Sequence, residues 1–410
     1  METGLAIAFV GMLVFLAHLF SAIFGKTRIP DILWLFVIGL LLGPVFSVVQ
    51  PEMFGELGPV FTAITLVFIL FESGLTLRIA DVRLSAGPAI RLTLLNFIFT
   101  TAAVASVGVA FMEFDIIQAL LLGSILGGTS SAFVGSVLRH LQTRETTSTV
   151  LLLESTLSDV LTLPIPLILL DVYALGSLRP GAVTGQIAAS LFLSGVLGFA
   201  GALGWSFVLQ KVRNLENTIF TTPAFVFMIY GFVEFIGFSG PVAALAFGVT
   251  MGNIDALKRS LIKRGPVALN QTEKVFFAEV VFLLRTFFFV YIGLAVQLTN
   301  WWLVSIGLLL TLVLYLVRVP AVHLSLPRTT SVRDVSLVAA LRATGLGSAV
   351  MASLPLQRGV EGGDMIQILA FSVIVFSTIL STVFVFVVER GGFSVFLGWL
   401  FAGFPTEEVP

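Results

Sequence analysis

Apolar residues fill this chain in long blocks, and polar residues collect in the short stretches between them. A bilayer's hydrocarbon core is about 30 Å thick and takes about 20 apolar residues in one helix. On that measure thirteen spans are predicted, at 3–25, 30–49, 57–77, 89–112, 116–138, 148–170, 183–209, 217–237, 239–253, 274–298, 300–324, 334–357 and 365–388. The ninth is short, and only a turn around Ser239-Gly240-Pro241 parts it from the eighth. The expected fold class is an all-α integral membrane protein of about 13 transmembrane helices, with residues 389–410 as a short cytoplasmic tail.

Composition agrees with the pattern. The 410 residues are 57% hydrophobic and 11% charged, where a soluble domain carries about 25% charge. Lipid is the solvent that tolerates such a surface. The formal net charge of -1 leaves no basic face for nucleic acid, so no nucleic-acid partner is expected. There are no cysteines, which removes disulfides and thiolate metal sites, and His18, His140 and His323 are too scattered for a transition metal. The first residues lack the basic stretch of a signal peptide, so the first run is read as a retained span.

Charge also gives a topology. Cytoplasmic loops are rich in Lys and Arg. Alternate loops here hold seventeen of the 22 basic residues, from Lys26 and Arg28 through to Arg390. The opposite loops hold Arg179 and Arg358 and are otherwise acidic or neutral. The expectation is a multi-pass protein of the cell (inner or plasma) membrane, N-terminus outside and C-terminus cytoplasmic. Arg285, Arg318 and Arg342 fall inside spans.

The spans repeat. Gly39 and Gly43 of the second match Gly248 and Gly252 of the ninth, an offset of 209. Gly74-Leu75 at the end of the third matches Gly293-Leu294 at the end of the tenth, offset 219. Ser131-Ala132 in the fifth matches Ser348-Ala349 in the twelfth, offset 217. An odd number of helices separates the copies, so the second is inverted. Inverted repeats with broken helices near the midplane are the build of secondary transporters.

Asp159 is the residue on which chemistry centres. It lies about 16 Å into the sixth span, counted from Ser148 at 1.5 Å per residue. A carboxylate at mid-membrane costs about 2.5–3.5 kcal/mol on insertion scales and is functional by default; the alternative is a protonated structural aspartate bonded to a neighbouring helix. Ser155, four residues earlier, shares its face and offers a hydroxyl to an alkali cation, or else a back-bond to its own helix. Ser158 points to another face, as a helix-packing group or a ligand. In the fifth span Gly127-Gly128-Thr129-Ser130-Ser131 is expected to unwind the helix, and Thr344-Gly345-Leu346-Gly347-Ser348 does the same in the twelfth, unless these glycines only serve close packing. Glu154, Arg342 and Arg318 match in depth. A Glu154–Arg342 ion pair with Arg318 nearby is expected, while Arg285 and Glu72 are candidates to line a water-filled funnel.

Taken together these motifs resemble the cation/proton antiporter superfamily, in particular its sodium/proton exchanger branch of the NhaP kind. The likeness rests on Pro30-Asp31 with Gly39 and Gly43-Pro44, Leu70-Phe71-Glu72-Ser73-Gly74-Leu75, Gly127-Gly128-Thr129-Ser130, Glu154-Ser155 with Ser158-Asp159, Phe287-Phe288-Phe289 with Gly293, and Arg342. The resemblance implies that Asp159 takes proton and cation in turn, with Ser155, Thr129 and Ser158 around it. It implies that the two helix breaks cross beside the ion and that Glu154 pairs with Arg342. It further implies a homodimer in which a core bundle, approximately 89–170 and 300–388, slides against a dimerisation scaffold, approximately 1–77 and 183–298. No resident cofactor is expected; Na⁺, Li⁺ or K⁺ and H⁺ are the cargo. Electroneutral relatives carry Asn before the aspartate and electrogenic ones a second Asp; Ser158 departs from both. With one acid there, one proton per cation is expected. The alternative function is a sodium-coupled organic solute symporter of similar fold.

Overall fold

The computed structural model describes residues 2–27, 31–49, 57–77, 79–138, 141, 143–174, 180–213, 218–260, 267–295, 301–390 and 399–405. The loop cations Arg28, Arg78, Arg139, Arg179, Lys263 and Arg264 lie outside them. Among the described residues the secondary structure is helical. The helices are α1 (Glu2–Thr27), α2 (Asp31–Leu40, continued by a π-helical segment Leu41–Val45), α3 (Leu57–Thr76), α4 (Ile79–Phe111), α5 (Ile116–Leu126), α6 (Ser131–Leu138), α7 (Glu145–Thr162), α8 (Pro164–Ala174) and α9 (Pro180–Val212). They continue with α10 (Thr221–Phe235), α11 (Gly240–Gly252), α12 (Ile254–Ser260), α13 (Gln271–Ala295), α14 (Trp301–Ser325), α15 (Val332–Ala340), α16 (Leu346–Gln357) and α17 (Gly363–Glu389).

Among the described residues five segments are long and apolar enough to cross a membrane, Gly87–Phe111, Glu145–Ala174, Ala189–Val212, Trp301–Ser325 and Gly363–Glu389. The fifth and twelfth predicted spans are not continuous: each is two half-helices, α5 with α6 and α15 with α16. The sixth is interrupted at Leu163, because Pro164 has no N–H to continue α7 and opens α8 instead.

The chain divides into two compact units. One comprises Met1–Gly55, Ser85–Leu169 and Thr286–Pro410; the other comprises Glu56–Leu84 and Leu170–Arg285. The first thus takes in residues 1–55 and 286–298, which sequence reading grouped with the scaffold. Glycines hold these two segments to each other. A Cβ on Gly39 would lie 2.1 Å from the Val290 carbonyl oxygen, and one on Gly43 would lie 2.9 Å from Leu294 Cα, so α2 sits backbone to backbone on the end of α13.

The second unit holds the matching contact. A Cβ on Gly248 would lie 2.3 Å from the Phe71 carbonyl oxygen and 3.1 Å from Gly74 Cα, and one on Gly252 would lie 2.5 Å from the Leu75 carbonyl oxygen. The repeat offsets turn one set of contacts into the other. Gly39 maps to Gly248 and Gly74 to Gly293, and Gly39 meets Gly293 as Gly248 meets Gly74. Each copy's second helix therefore packs on the third helix of the other copy. In lipid, apolar burial does not drive helices together, so close van der Waals approach at small residues has to.

This close approach is testable. Gly248→Ala and Gly39→Ala each push a methyl into a carbonyl and are expected to destabilise by about 1–3 kcal/mol. Gly204, in α9, has nothing within 4 Å of its Cβ position. Alanine there removes only the glycine penalty of about 1 kcal/mol in a helix interior. Thermal unfolding in detergent should rank Gly204→Ala at or above wild type and the other two clearly below. Equal melting of all three would contradict the geometry.

In the first unit, α4, α6, α7, α14, α15 and α17 bury a shared apolar core that includes Leu92, Phe133, Leu151, Val322, Val335 and Val388. Residues of the expected tail join it: Phe401 and Phe404 are buried, and the Val332 N–H donates to the Pro405 carbonyl at 3.0 Å. The His323 ring stacks on Phe401 with centroids 5.3 Å apart, and the Arg328 guanidinium lies 4.8 Å from the Phe404 ring.

Candidate functional site: a carboxylate between two broken helices

Each break is built by its own residues. Helix α5 starts under a capping box: Asp115 Oδ1 accepts from the Ile117 and Gln118 N–H groups at 2.8 Å, and Gln118 Oε1 accepts from the Asp115 N–H at 2.9 Å. It ends at Leu126. Gly127 there has an ordinary φ of −66, so its value is room. A Cβ on Gly127 would lie 2.5 Å from Phe97 Cδ2, and one on Gly128 would lie 2.6 Å from Thr162 Cγ2. Ser130 then starts α6 by accepting from the Phe133 N–H at 3.3 Å. In the other copy Ser331 caps α15 through the Asp334 N–H at 3.2 Å, the helix ends at Ala340, and residues 341–345 run non-helical to α16.

The two breaks meet. The Ser130 N–H donates to the Ala343 carbonyl at 2.8 Å, and a Cβ on Gly345 would lie 2.9 Å from Ser130 Cα. Helix α17 steadies the second break. Ser377 Oγ accepts from the Thr344 N–H and Ser381 Oγ from the Arg342 N–H, both at 3.1 Å. Gly347, expected within the break, is the second residue of α16 instead. The chain regains helical bonding as soon as Gly345 has turned it, and Gly347 serves to keep space free: its Cβ would lie 3.0 Å from Leu163 Cδ2 and 3.7 Å from Asp159 Oδ1.

The buried charges pair differently from the expectation. Glu154 pairs with Arg318 rather than Arg342: Oε1 takes the first guanidinium nitrogen at 2.8 Å and Oε2 the second at 3.3 Å, with both side chains 0% exposed. Arg318 also donates to the Val338 carbonyl at 3.1 Å, and the Thr129 hydroxyl donates to Glu154 Oε1 at 3.0 Å. Arg342 donates instead to the Gly128 carbonyl at 2.6 Å, the Leu126 carbonyl at 2.8 Å and the Thr100 hydroxyl at 3.4 Å. Depth along the membrane could not separate the two arginines. What separates them is the end of α5, whose carbonyls have no helical partners and attract a cation.

A charge layout follows. Carbonyls at or near the ends of α5 and α15 are each met by an arginine. The opposite ends, the N-termini of α6 and α16, face Asp159. The Ser131 hydroxyl, on the first residue of α6, donates to Asp159 Oδ2 at 3.3 Å. Gly347 at the start of α16 comes close to the other oxygen: a Cβ on it would lie 3.7 Å from Oδ1. A helix N-terminus carries roughly half a positive charge, so two of them stabilise one carboxylate.

The other expected site residues surround this point with defined tasks. Ser155 is buried and its hydroxyl donates to the Leu152 carbonyl at 3.0 Å, which leaves its oxygen lone pairs. Ser158 Oγ accepts from the Thr129 N–H at 3.0 Å and lies 3.1 Å from the Thr129 carbonyl and 2.8 Å from the Ser155 carbonyl, so it clasps the first break. Among the described residues no three His, Cys, Asp or Glu side chains converge. The oxygens on these elements are hydroxyls and carbonyls, hard donors of the kind that suit s-block cations.

Glu72 on α3 and Arg285 on α13 belong to the second unit. They lie within electrostatic reach of each other, and the Arg285 guanidinium stands 5.4 Å from the Phe282 ring. Sequence reasoning placed Ser131 in the first break and in the repeat without giving it a role at the site, and did not single out Ser377 or Ser381. Ser131 was visible as the third hydroxyl of Thr129-Ser130-Ser131, the first place after the glycines where a helix can restart. Ser377 and Ser381 were visible as an i, i+4 polar pair on an apolar helix.

A family model described as sodium/hydrogen exchanger, transmembrane, matches residues 11–403. The K(+)/H(+) antiporter NhaP2 of Shewanella sp. (strain MR-4) is 24% identical over 380 residues, 89% of this chain and 63% of that protein. The chain therefore spans 63% of the length of this relative. The Na(+)/H(+) antiporter 1 of Methanocaldococcus jannaschii is 26% identical over 179 residues, 43% of this chain and 42% of that one. Among solved structures, the sodium proton antiporter MjNhaP1 from Methanocaldococcus jannaschii at pH 8 superposes with a TM-score of 0.72 at 21% identity, over 98% of this chain and 100% of that one. That likeness is one of fold.

Proposed function

This chain belongs to the transmembrane sodium/hydrogen exchanger family, and from that premise we propose that it exchanges a monovalent alkali cation, Na⁺, Li⁺ or K⁺, for protons. The observation that carries the reading is Asp159, held between the N-termini of two broken helices with the Ser131 hydroxyl on one oxygen and Gly347 close to the other. Deprotonated, Asp159 binds the cation with Ser155 and the Thr129 carbonyl; protonated, it releases it. Ser158 acts on the site through Thr129, whose backbone it holds.

Alternating access follows from charge. Moving a bare carboxylate through an apolar barrier is costly, so the core rearranges readily when Asp159 carries either a proton or a cation. We place the protein in the cell membrane as a homodimer. In it a core of approximately 89–170 and 300–388 moves in an elevator manner against the remaining helices. One carboxylate gives one proton per monovalent cation and an electroneutral cycle.

The test uses purified protein in vesicles with an imposed ΔpH and a pH-sensitive dye. Na⁺, Li⁺ and K⁺ are added separately, then again with the voltage clamped by valinomycin and K⁺. An antiporter gives cation-dependent dequenching, and an electroneutral one gives the same rate with and without the clamp. Failure of all three cations to dequench, together with sodium-driven uptake of an organic solute, would establish the symporter reading instead.

A further inference from the structure

We propose that Ser131 is itself a cation ligand, supplying its hydroxyl oxygen together with Asp159 Oδ2 and thereby tying the bound ion to half-helix α6. The inference rests on the exchange reading above and deepens it at the same site.

The oxygens expected to help Asp159 already carry other duties. The Thr129 hydroxyl donates to Glu154, and its backbone N–H and carbonyl both engage Ser158. Ser155 spends its proton on Leu152. Ser131 spends its proton on the carboxylate, at 3.3 Å from Oδ2. A hydroxyl has one proton and two lone pairs. Donor and acceptor already stand 3.3 Å apart, close enough for one ion to bridge them. A cation that does so takes the place of the shared proton: the hydroxyl rotates about its Cβ–Oγ bond, keeps its proton and turns a lone pair to the ion.

Local structure fixes the geometry. Ser130 caps α6 through the Phe133 N–H and is tied to the second break through Ala343. The first helical residue, Ser131, is thus held at the crossing. On the other side of the carboxylate Gly347 supplies no side chain; a Cβ there would lie 3.7 Å from Oδ1. Ser131 and Gly347 stand on different half-helices, so the distance between those half-helices bears on the size of ion accepted.

When protons displace the cation, Asp159 gains a proton on one oxygen and the ion leaves. Ser131 keeps its own proton throughout. Its effect is therefore on cation affinity and less on the rate of the conformational step.

The experiment compares wild type, Ser131→Ala, Ser131→Thr and Asp159→Asn in proteoliposomes, with dequenching measured against Na⁺, Li⁺ and K⁺ concentration at one pH. Ser131→Ala is expected to raise the apparent KM for the transported cation about tenfold, the weight of one hydrogen-bonding partner of a charged group. The maximal rate should fall less than threefold. Ser131→Thr, which keeps the hydroxyl, should return the KM to within about threefold of wild type, and the KM ratio between cations should change in Ser131→Ala. As a second readout, protection against thermal unfolding by added cation should weaken in Ser131→Ala.

An unchanged KM in Ser131→Ala overturns the inference, and so does a drop in maximal rate with KM constant, or equal loss in Ala and Thr. Should Ser131→Ala not fold, Ser131→Thr with wild-type cation protection upholds it, and Ser131→Thr with none overturns it. Activity retained by Asp159→Asn overturns the exchange reading, and that result is independent of Ser131.

Discussion

Asp159→Asn should abolish cation-driven proton movement while leaving the folded protein intact. Asparagine has nearly the shape of aspartate and still offers an oxygen to the Ser131 hydroxyl. It lacks the negative charge that binds a cation and the proton that displaces it. Two unit charges 4 Å apart attract by about 4 kcal/mol at an effective dielectric of about 20. At 1.4 kcal/mol per decade, that is about a thousandfold in cation affinity. The proton half of the cycle is lost outright, because an amide does not titrate in the working range. Dequenching at saturating Na⁺, Li⁺ or K⁺ is expected to fall to the level of empty vesicles. Elution volume and melting temperature should stay near wild type, since the backbone bond from the Leu163 N–H to the Asp159 carbonyl, at 3.2 Å, is untouched. A variant that kept a tenth of the wild-type rate would sink the single-carboxylate mechanism.

Much of this arrangement is legible in the sequence, for reasons that can be named. Apolar runs report helices because lipid leaves every backbone polar group to be satisfied within the helix. The glycines of the repeat, Gly39 and Gly43 with Gly248 and Gly252, mark points of close helix packing, because a missing side chain lets two backbones come so close; which helices meet there was not legible. The break at Gly127-Gly128 is legible because paired glycines weaken a helix; here they also make room for the Phe97 and Thr162 side chains. In each case one residue type has one dominant physical use.

What stayed hidden depends on direction in three dimensions. Depth along the membrane placed Glu154, Arg318 and Arg342 on one level, but choosing a partner needs the azimuth of each side chain. Arg342 was already committed to the carbonyls of Leu126 and Gly128. Gly347 reads like another breaker in a string and is instead a spacer beside Asp159. Ser131, Ser377 and Ser381 look like common small residues of membrane helices, and only the crossing gives them work. Composition could not say that Phe401 and Phe404 in the short tail would be buried.

Glu154→Gln and Arg318→Met should each cost about 3–5 kcal/mol of stability, the range for breaking a buried ion pair from one side. Both residues are 0% exposed, and the pair is joined by two parallel bonds at 2.8 Å and 3.3 Å. Taken with Arg342, the three side chains carry one net positive charge. The ends of α5 and α15 offset it, at roughly half a negative charge each. Removing Glu154 leaves two arginines facing those ends with a full charge in excess; removing Arg318 leaves a carboxylate in an apolar core with only the Thr129 hydroxyl. The double variant Glu154→Met with Arg318→Met replaces the pair with packing volume. It should melt above either single variant, because a well-packed apolar substitute for a buried pair is often neutral. The three melting curves and wild type form a double-mutant cycle in detergent, with a coupling expected to exceed about 1 kcal/mol for groups in direct contact. Additive losses would mean that the two charges act separately. Arg342→Met, scored beside them, should be as damaging as Arg318→Met but more weakly coupled to Glu154 than Arg318 is, since its hydrogen bonds run to the carbonyls of Leu126 and Gly128. That contrast separates the ion pair the structure contains from the one that depth along the membrane suggested.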